Sequence, residues 1–129
     1  MKAMEFTRDT DIVSAFVSTS SICQGQQVEP LWAELVKGGI CIDFAHTVFK
    51  WESEAESGAY VFVVIVGFSR VQKSTCYLYS GDRKRAVSKI RPYLIEGESI
   101  LVGTGNKPIC DVPIIGIGNQ PISPLTFPF

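Results

Sequence analysis

"ICIDFAHTVFKWESEAESGAYVFVVIVGF", residues 40–68, decides how this chain folds. Its end, "AYVFVVIVGF", is apolar on both alternating faces, the pattern of a central strand covered above and below. Its start, "ICIDFAH", puts Ile40, Ile42 and Phe44 on one face and Asp43 on the other, which predicts a half-buried strand. A loop and not a helix joins the two, so they should be antiparallel neighbours. That connection, "FAHTVFKWESEA" at 44–55, carries His46, Phe49 and Trp51 and then acidic residues. Loops run over the surface, where bulky rings lose the burial that would stabilise them. Either these rings fold back onto the core, or they await a flat, apolar partner.

Upstream, "IVSAFVS" at 12–18 has the β-branched and aromatic content of a strand, and "STSSICQ" at 18–24 is a polar exit from it. Val28, Leu31, Trp32, Leu35 and Val36 then fall at helical spacing on one apolar face. Pro30 fits only the first turn, so the helix should start close to Gln27, and Gly38 and Gly39 should stop it. Strand, helix, strand, loop, strand is the order of an α/β sheet. Downstream, "STCYLYS" and "AVSKI" read as strands flanking a turn at Gly81-Asp82, with the basic run "RKR" at 83–85 just after it. "PYLIEG" at 92–97 suggests a single helical turn, and the remainder reads as an extended, irregular tail.

Composition narrows the function. The 129 residues are 46% hydrophobic and 19% charged, a core-forming balance, and twelve basic against thirteen acidic side chains exclude a global polycationic field. The longest apolar run, Ala59 to Phe68, is ten residues, against about twenty for a lipid-spanning helix. The charged start "MKAMEFTRDTD" is not a signal peptide, so a cytoplasmic protein with no membrane partner is expected. Cys23, Cys41, Cys76 and Cys110 lie far apart without a C-x-x-C, and His46 is the only histidine. That predicts no metal site and four reduced, mostly buried thiols. No catalytic residue emerges: His46 has no nucleophile beside it and is expected to bond to backbone. The G-x-G pairs in "ILVGTGN" and "IIGIGN" are followed by proline and not by a helix that could face a phosphate. Arg83, Lys84, Arg85, Lys89 and Arg91 form the one cationic cluster, either a solvated hairpin or a contact for nucleic-acid phosphate.

Three stretches, in this order, resemble the MmeI-like DNA adenine-N6 methyltransferases, large single-chain enzymes that combine methylation with restriction. They are "AFVSTSSICQGQQVEPLW", "IDFAHTVFKWESEA" with the following "VVIVGF", and "KPICDVPIIGIGNQPI". The resemblance spans roughly residues 11–122; Ser20 and Gln26 depart from it, where Asn and Glu are expected. It implies a partial Rossmann-like class I methyltransferase sheet, strand-helix-strand-strand, followed by a small β-rich extension. Residues 1–70 would be the C-terminal half of the catalytic domain, and residues 71–129 an extension and linker towards a missing target-recognition region.

In the family, the S-adenosylmethionine pocket and an Asn-Pro-Pro-aromatic motif lie upstream of the matched region. Neither Asn106-Lys107-Pro108 nor Asn119-Gln120-Pro121 qualifies as that motif. The chain is therefore expected to bind no cofactor and to be inactive alone, with DNA and a missing N-terminal catalytic half as partners. Enzymes that methylate a base first take it out of the stack, and the resemblance gives Phe49, with Trp51 second, as the ring that receives it. Arg83, Lys84 and Arg85 are the matching candidates for the DNA backbone. The family's last hairpin inserts at one edge of the sheet, so the first strand here would lack a neighbour and pair with another copy. The rival reading is a stand-alone nucleic-acid-binding or structural module without catalysis.

Overall fold

The computed structural model describes residues 2–52, 60–98, 100–103, 105 and 110–111. A short helix α1 (Lys2–Phe6) precedes β1 (Ser14–Thr19). Two 3-10 turns, Ser20–Cys23 and Gly25–Gln27, lead into α2 (Val28–Lys37). There follow β2 (Cys41–Glu52), β3 (Tyr60–Ser69), β4 (Cys76–Ser80) and β5 (Arg83–Val87). The strands form one mixed sheet in the order β1-β3-β2-β4-β5. β3 runs antiparallel to both β1 and β2, β4 joins β2 in parallel, and β5 returns antiparallel to β4.

The expected order is therefore present, with β3 between β1 and β2 and with β1 at an edge. α2 begins after Gln27 and ends at Gly38, with Gly39 at φ 81, as its pattern predicts. It lays Val28, Trp32 and Leu35 on the inner face of the sheet, against a core containing Ala45, Val64, Val66, Leu78 and Val87. Trp32 is buried, and its indole Nε1 donates to the Ile22 carbonyl at 2.7 Å, which satisfies its one polar atom. That bond fixes α2 to the turn entering it.

β2 departs from the expectation in two ways. It does not end at His46: it continues as strand to Glu52, so the rings of 44–52 stand on a ladder and not in a loop. The loop boundary shifts to residue 53, and residues 53–59 lie outside the described residues. Second, the pairing slips at Asp43: Ile42 faces Phe68, whereas Phe44 faces the adjacent Gly67. Neighbours on a strand point to opposite faces, so Ile42 goes to the α2 side and Phe44 to the other. Asp43, expected in solvent, is buried in the bulge. Its Oδ1 accepts from Ser69 Oγ at 3.1 Å, and its Oδ2 pairs with Lys73 Nζ at 3.2 Å. Only a partnered carboxylate can be held there. Phe44 lies over Gly67, where any Cβ would run into its ring.

Smaller corrections follow. "PYLIEG" forms no helical turn: Leu94 sits at φ 57, and Ile90 bridges Glu96 across a tight reversal. α1 was not anticipated; Arg70 ties it down by donating from Nη2 to the Met4 carbonyl at 2.8 Å and from Nη1 to the Gly38 carbonyl. All four thiols are free, but only Cys23 and Cys76 are buried, while Cys41 is half-buried and Cys110 exposed. Burial pushes the Cys23 thiol up to about 12; burial first, then the Asp43 carboxylate, raises that of Cys76. No helix among the described residues is long and apolar enough to cross a membrane, and no cluster of ligating side chains there could hold a metal.

Candidate nucleic-acid interface

The same alternation that aims Val64 and Val66 at α2 aims Val61, Val63 and Ile65 at the opposite, outer face. Register extends this across the sheet. Phe44, His46, Phe49 and Trp51 stand beside Gly67, Ile65, Val63 and Val61 on that outer face. Tyr77 and Tyr79 of β4 stand beside Phe44 and His46, and Lys84 of β5 stands beside Tyr79. Among the described residues no helix covers this face. β3 is thus an interior strand of the sheet but, among the described residues, a helix shelters it on one side only.

The rings touch in sequence. His46 meets Phe49 edge-on at 4.7 Å between centroids, and Phe49 meets Trp51 at 6.3 Å with planes tilted by 48°. A second register shift between His46 and Phe49 brings these two onto one face despite their odd spacing. His46 Nδ1 lies 2.7 Å from the Thr47 carbonyl, so it donates to backbone as expected and the imidazole is held. Phe49 is half-buried, and Trp51 is 54% exposed. Phe49 is not sealed in the core: its neighbours fix its plane and part of it stays open. Trp51 is the looser of the pair.

Among the described residues, β2 pairs from Phe49 to Glu52 only with β3, because β1 reaches no farther than Val63 and β4 no farther than His46. The end of the hairpin is therefore a two-stranded ribbon projecting past the sheet. Its other face carries Tyr60 and Phe62, edge-on at 5.7 Å and 53% and 51% exposed, with Lys50 Nζ 4.3 Å from the Tyr60 ring centre. Such a ribbon is narrow enough to enter a nucleic-acid groove.

The basic run is divided. Lys84 stands on the outer face, its Nζ 3.9 Å from the Tyr77 ring centre and 5.7 Å from that of Tyr79. Arg83 and Arg85 alternate to the inner side, where Arg85 approaches Glu96 at 3.9 Å. All three border an open depression of about 630 Å³ that also touches Thr47 and Ile95, but only Lys84 shares a face with Phe49. The tyrosines were missed from sequence, although "CYLYS" places two rings two residues apart, the spacing of one strand face.

The comparisons with known proteins agree on one relationship. The family model described as MmeI, DNA-methyltransferase domain, matches residues 1–80. DNA methyltransferase A of Bacillus subtilis (strain 168) is 48% identical over 118 residues, which is 91% of this chain and 13% of that protein. A solved chain of the Type IIL restriction-modification enzyme MmeI, in complex with DNA, superposes with a TM-score of 0.78 at 35% identity. That match covers 87% of this chain and 16% of the solved one. The chain spans about one-seventh of the length of either relative.

Proposed function

The chain belongs to the MmeI DNA-methyltransferase family, and from that premise we propose that it supplies the target-base side of an adenine-N6 methylation site within a restriction-modification enzyme. In this reading β1, α2, β2 and β3 are the closing elements of a Rossmann-like class I sheet, and β4 and β5 begin the extension beyond it. The insertion of β3 between β1 and β2 supports that assignment. Residues 1–70 then close the catalytic domain and 71–129 lead away from it. The edge of β1 that is unpaired among the described residues is, in this reading, the seam to the upstream half. In isolation it pairs with a second copy, and light scattering at micromolar concentration should find a dimer or larger particle.

The observation that carries the proposal is Phe49: a half-open ring, braced by His46 and Trp51, at the root of a ribbon projecting from the sheet. A base turned out of the helix loses its stacking on both sides, and an aromatic plane already fixed in orientation restores one of them. Such stacking stabilises by about 1–3 kcal/mol per base. Trp51 forms the outer wall.

S-adenosylmethionine would supply the methyl group in the whole enzyme, and in this reading its pocket lies upstream of β1. In this reading the chain alone carries out no methyl transfer. The test is binding of a single-stranded oligonucleotide containing adenine. Phe49→Ala should weaken it about tenfold and Phe49→Trp should preserve it. Equal affinity for Phe49→Ala and the parent chain removes the stacking role, and methylation of DNA by the isolated chain removes the claim of inactivity.

A further inference from the structure

We infer that the outer face continues from Phe49 into a track for the neighbouring nucleotide of the same strand, with Tyr79 as a second stacking ring and Lys84 as the phosphate contact. The inference rests on the reading of Phe49 as the base-receiving ring and extends it to residues on other strands.

Three observations converge on it. The first is continuity. His46 touches Phe49, and His46, Tyr79 and Lys84 occupy one register row across β2, β4 and β5. Adjacent strands lie about 4.8 Å apart, so this row runs sideways from the Phe49 site by roughly 10 Å. The second is chemistry. Among the described outer-face strand positions there are rings, aliphatic side chains, the small polar side chains of Thr19, Cys41 and Ser69, one imidazole and one ammonium, and no exposed carboxylate. The one buried acid near the row, Asp43, is already held by Ser69 and Lys73. A polyanion with flat bases meets complementary charge and shape here. A peptide helix or an aliphatic partner would make no use of an ammonium poised between two tyrosines.

The third observation is the division of the basic run. Were Arg83, Lys84 and Arg85 only a solubilising tip, nothing would select the middle one. The strand puts Lys84 against Tyr77 and Tyr79 and turns both arginines away, one of them towards Glu96. Tyr77, at 38% exposure, supports the lysine stem from the next position along β4. A phosphate drawn to Lys84 leaves its base above Tyr79, one strand over from His46.

The experiment is fluorescence anisotropy of a labelled single-stranded oligonucleotide with the full 129-residue chain, at low and moderate salt. Lys84→Ala should raise Kd several-fold and flatten the dependence of log affinity on log salt by about 0.7, one phosphate contact. Tyr79→Ala should raise Kd about tenfold with the salt slope unchanged. Tyr79→Leu, which keeps apolar bulk without a flat ring, should weaken binding similarly and guards against a loss that is only a folding defect. Arg83→Ala and Arg85→Ala should stay within about twofold.

Three results overturn the track. If either arginine variant loses as much as Lys84→Ala, the division by face is wrong. If the Tyr79 and Lys84 variants bind like the parent while Phe49→Ala does not, the track fails and the Phe49 site stands. If the parent chain binds no oligonucleotide, both fall together.

Discussion

The two faces of the β2–β3 hairpin are built from similar residues and serve opposite ends. On the inner face, Val64 and Val66 are fully covered by α2. On the outer face Val63 is buried as well, but Val61 and Trp51, and Val17 of the adjoining β1, remain about half exposed. Hydrophobicity alone does not distinguish them, because both read as continuous β-branched and aromatic runs. What differs is the neighbour: one face meets a helix from this chain, and the other meets none among the described residues. The lesson is that an apolar strand face reports a need for a partner and not which partner fills it.

Substitutions can break or sharpen that contrast. The largest effect belongs to the inner face. Trp32→Ala should destabilise by about 3–5 kcal/mol, by cavity formation and an orphaned Ile22 carbonyl, as read by chemical denaturation. Should Phe49→Ala cost as much, the two faces are not different in kind. Gly67→Ala comes next, at about 1–3 kcal/mol, because the added methyl meets the Phe44 ring and the ring has to move. A pH effect follows. The Cys23 thiol is raised by burial to about 12, so it binds its proton more tightly folded than unfolded. Its contribution is present in full below the ordinary thiol range and fades as pH climbs through that range towards 12. The parent chain should therefore lose stability in that window relative to Cys23→Val. Phe49→Ala should cost about 1 kcal/mol or less in a thermal melt while reducing oligonucleotide binding, the signature of an outer-face ring. Smallest of all, Arg83→Ala should leave melting within about 0.5 kcal/mol.

Much of the architecture was legible because α2 and β3 each express one period without interruption. Val28, Leu31, Trp32 and Leu35 state a helix face, and the run from Val61 to Phe68 states a strand between strands. β2 was harder. Thr47, Val48 and Phe49 have strand composition, but slips at Asp43 and after His46 break the two-residue alternation that would reveal it. A polar residue inside a strand normally marks the solvent side. Asp43 is the exception because Ser69 and Lys73, distant in sequence, neutralise and bond it. The parallel docking of β4 on β2 depends on the intervening chain and leaves no local signature. As for the proposed site, Phe49 and Trp51 are candidates by resemblance and by the oddity of rings beside acids. The split of residues 83–85 follows from strand alternation once they are known to lie in β5.

Arg70 has a consequence beyond its two bonds. Its guanidinium serves the Met4 and Gly38 carbonyls at once, from separate nitrogens of one rigid plane. A lysine retains the charge and has donors enough for both carbonyls, but it lacks the planar fork that reaches them from two separate nitrogens. A nominally conservative exchange at this seam would therefore loosen the junction of the two helix ends and invite protease cleavage there, while leaving the sheet itself undisturbed.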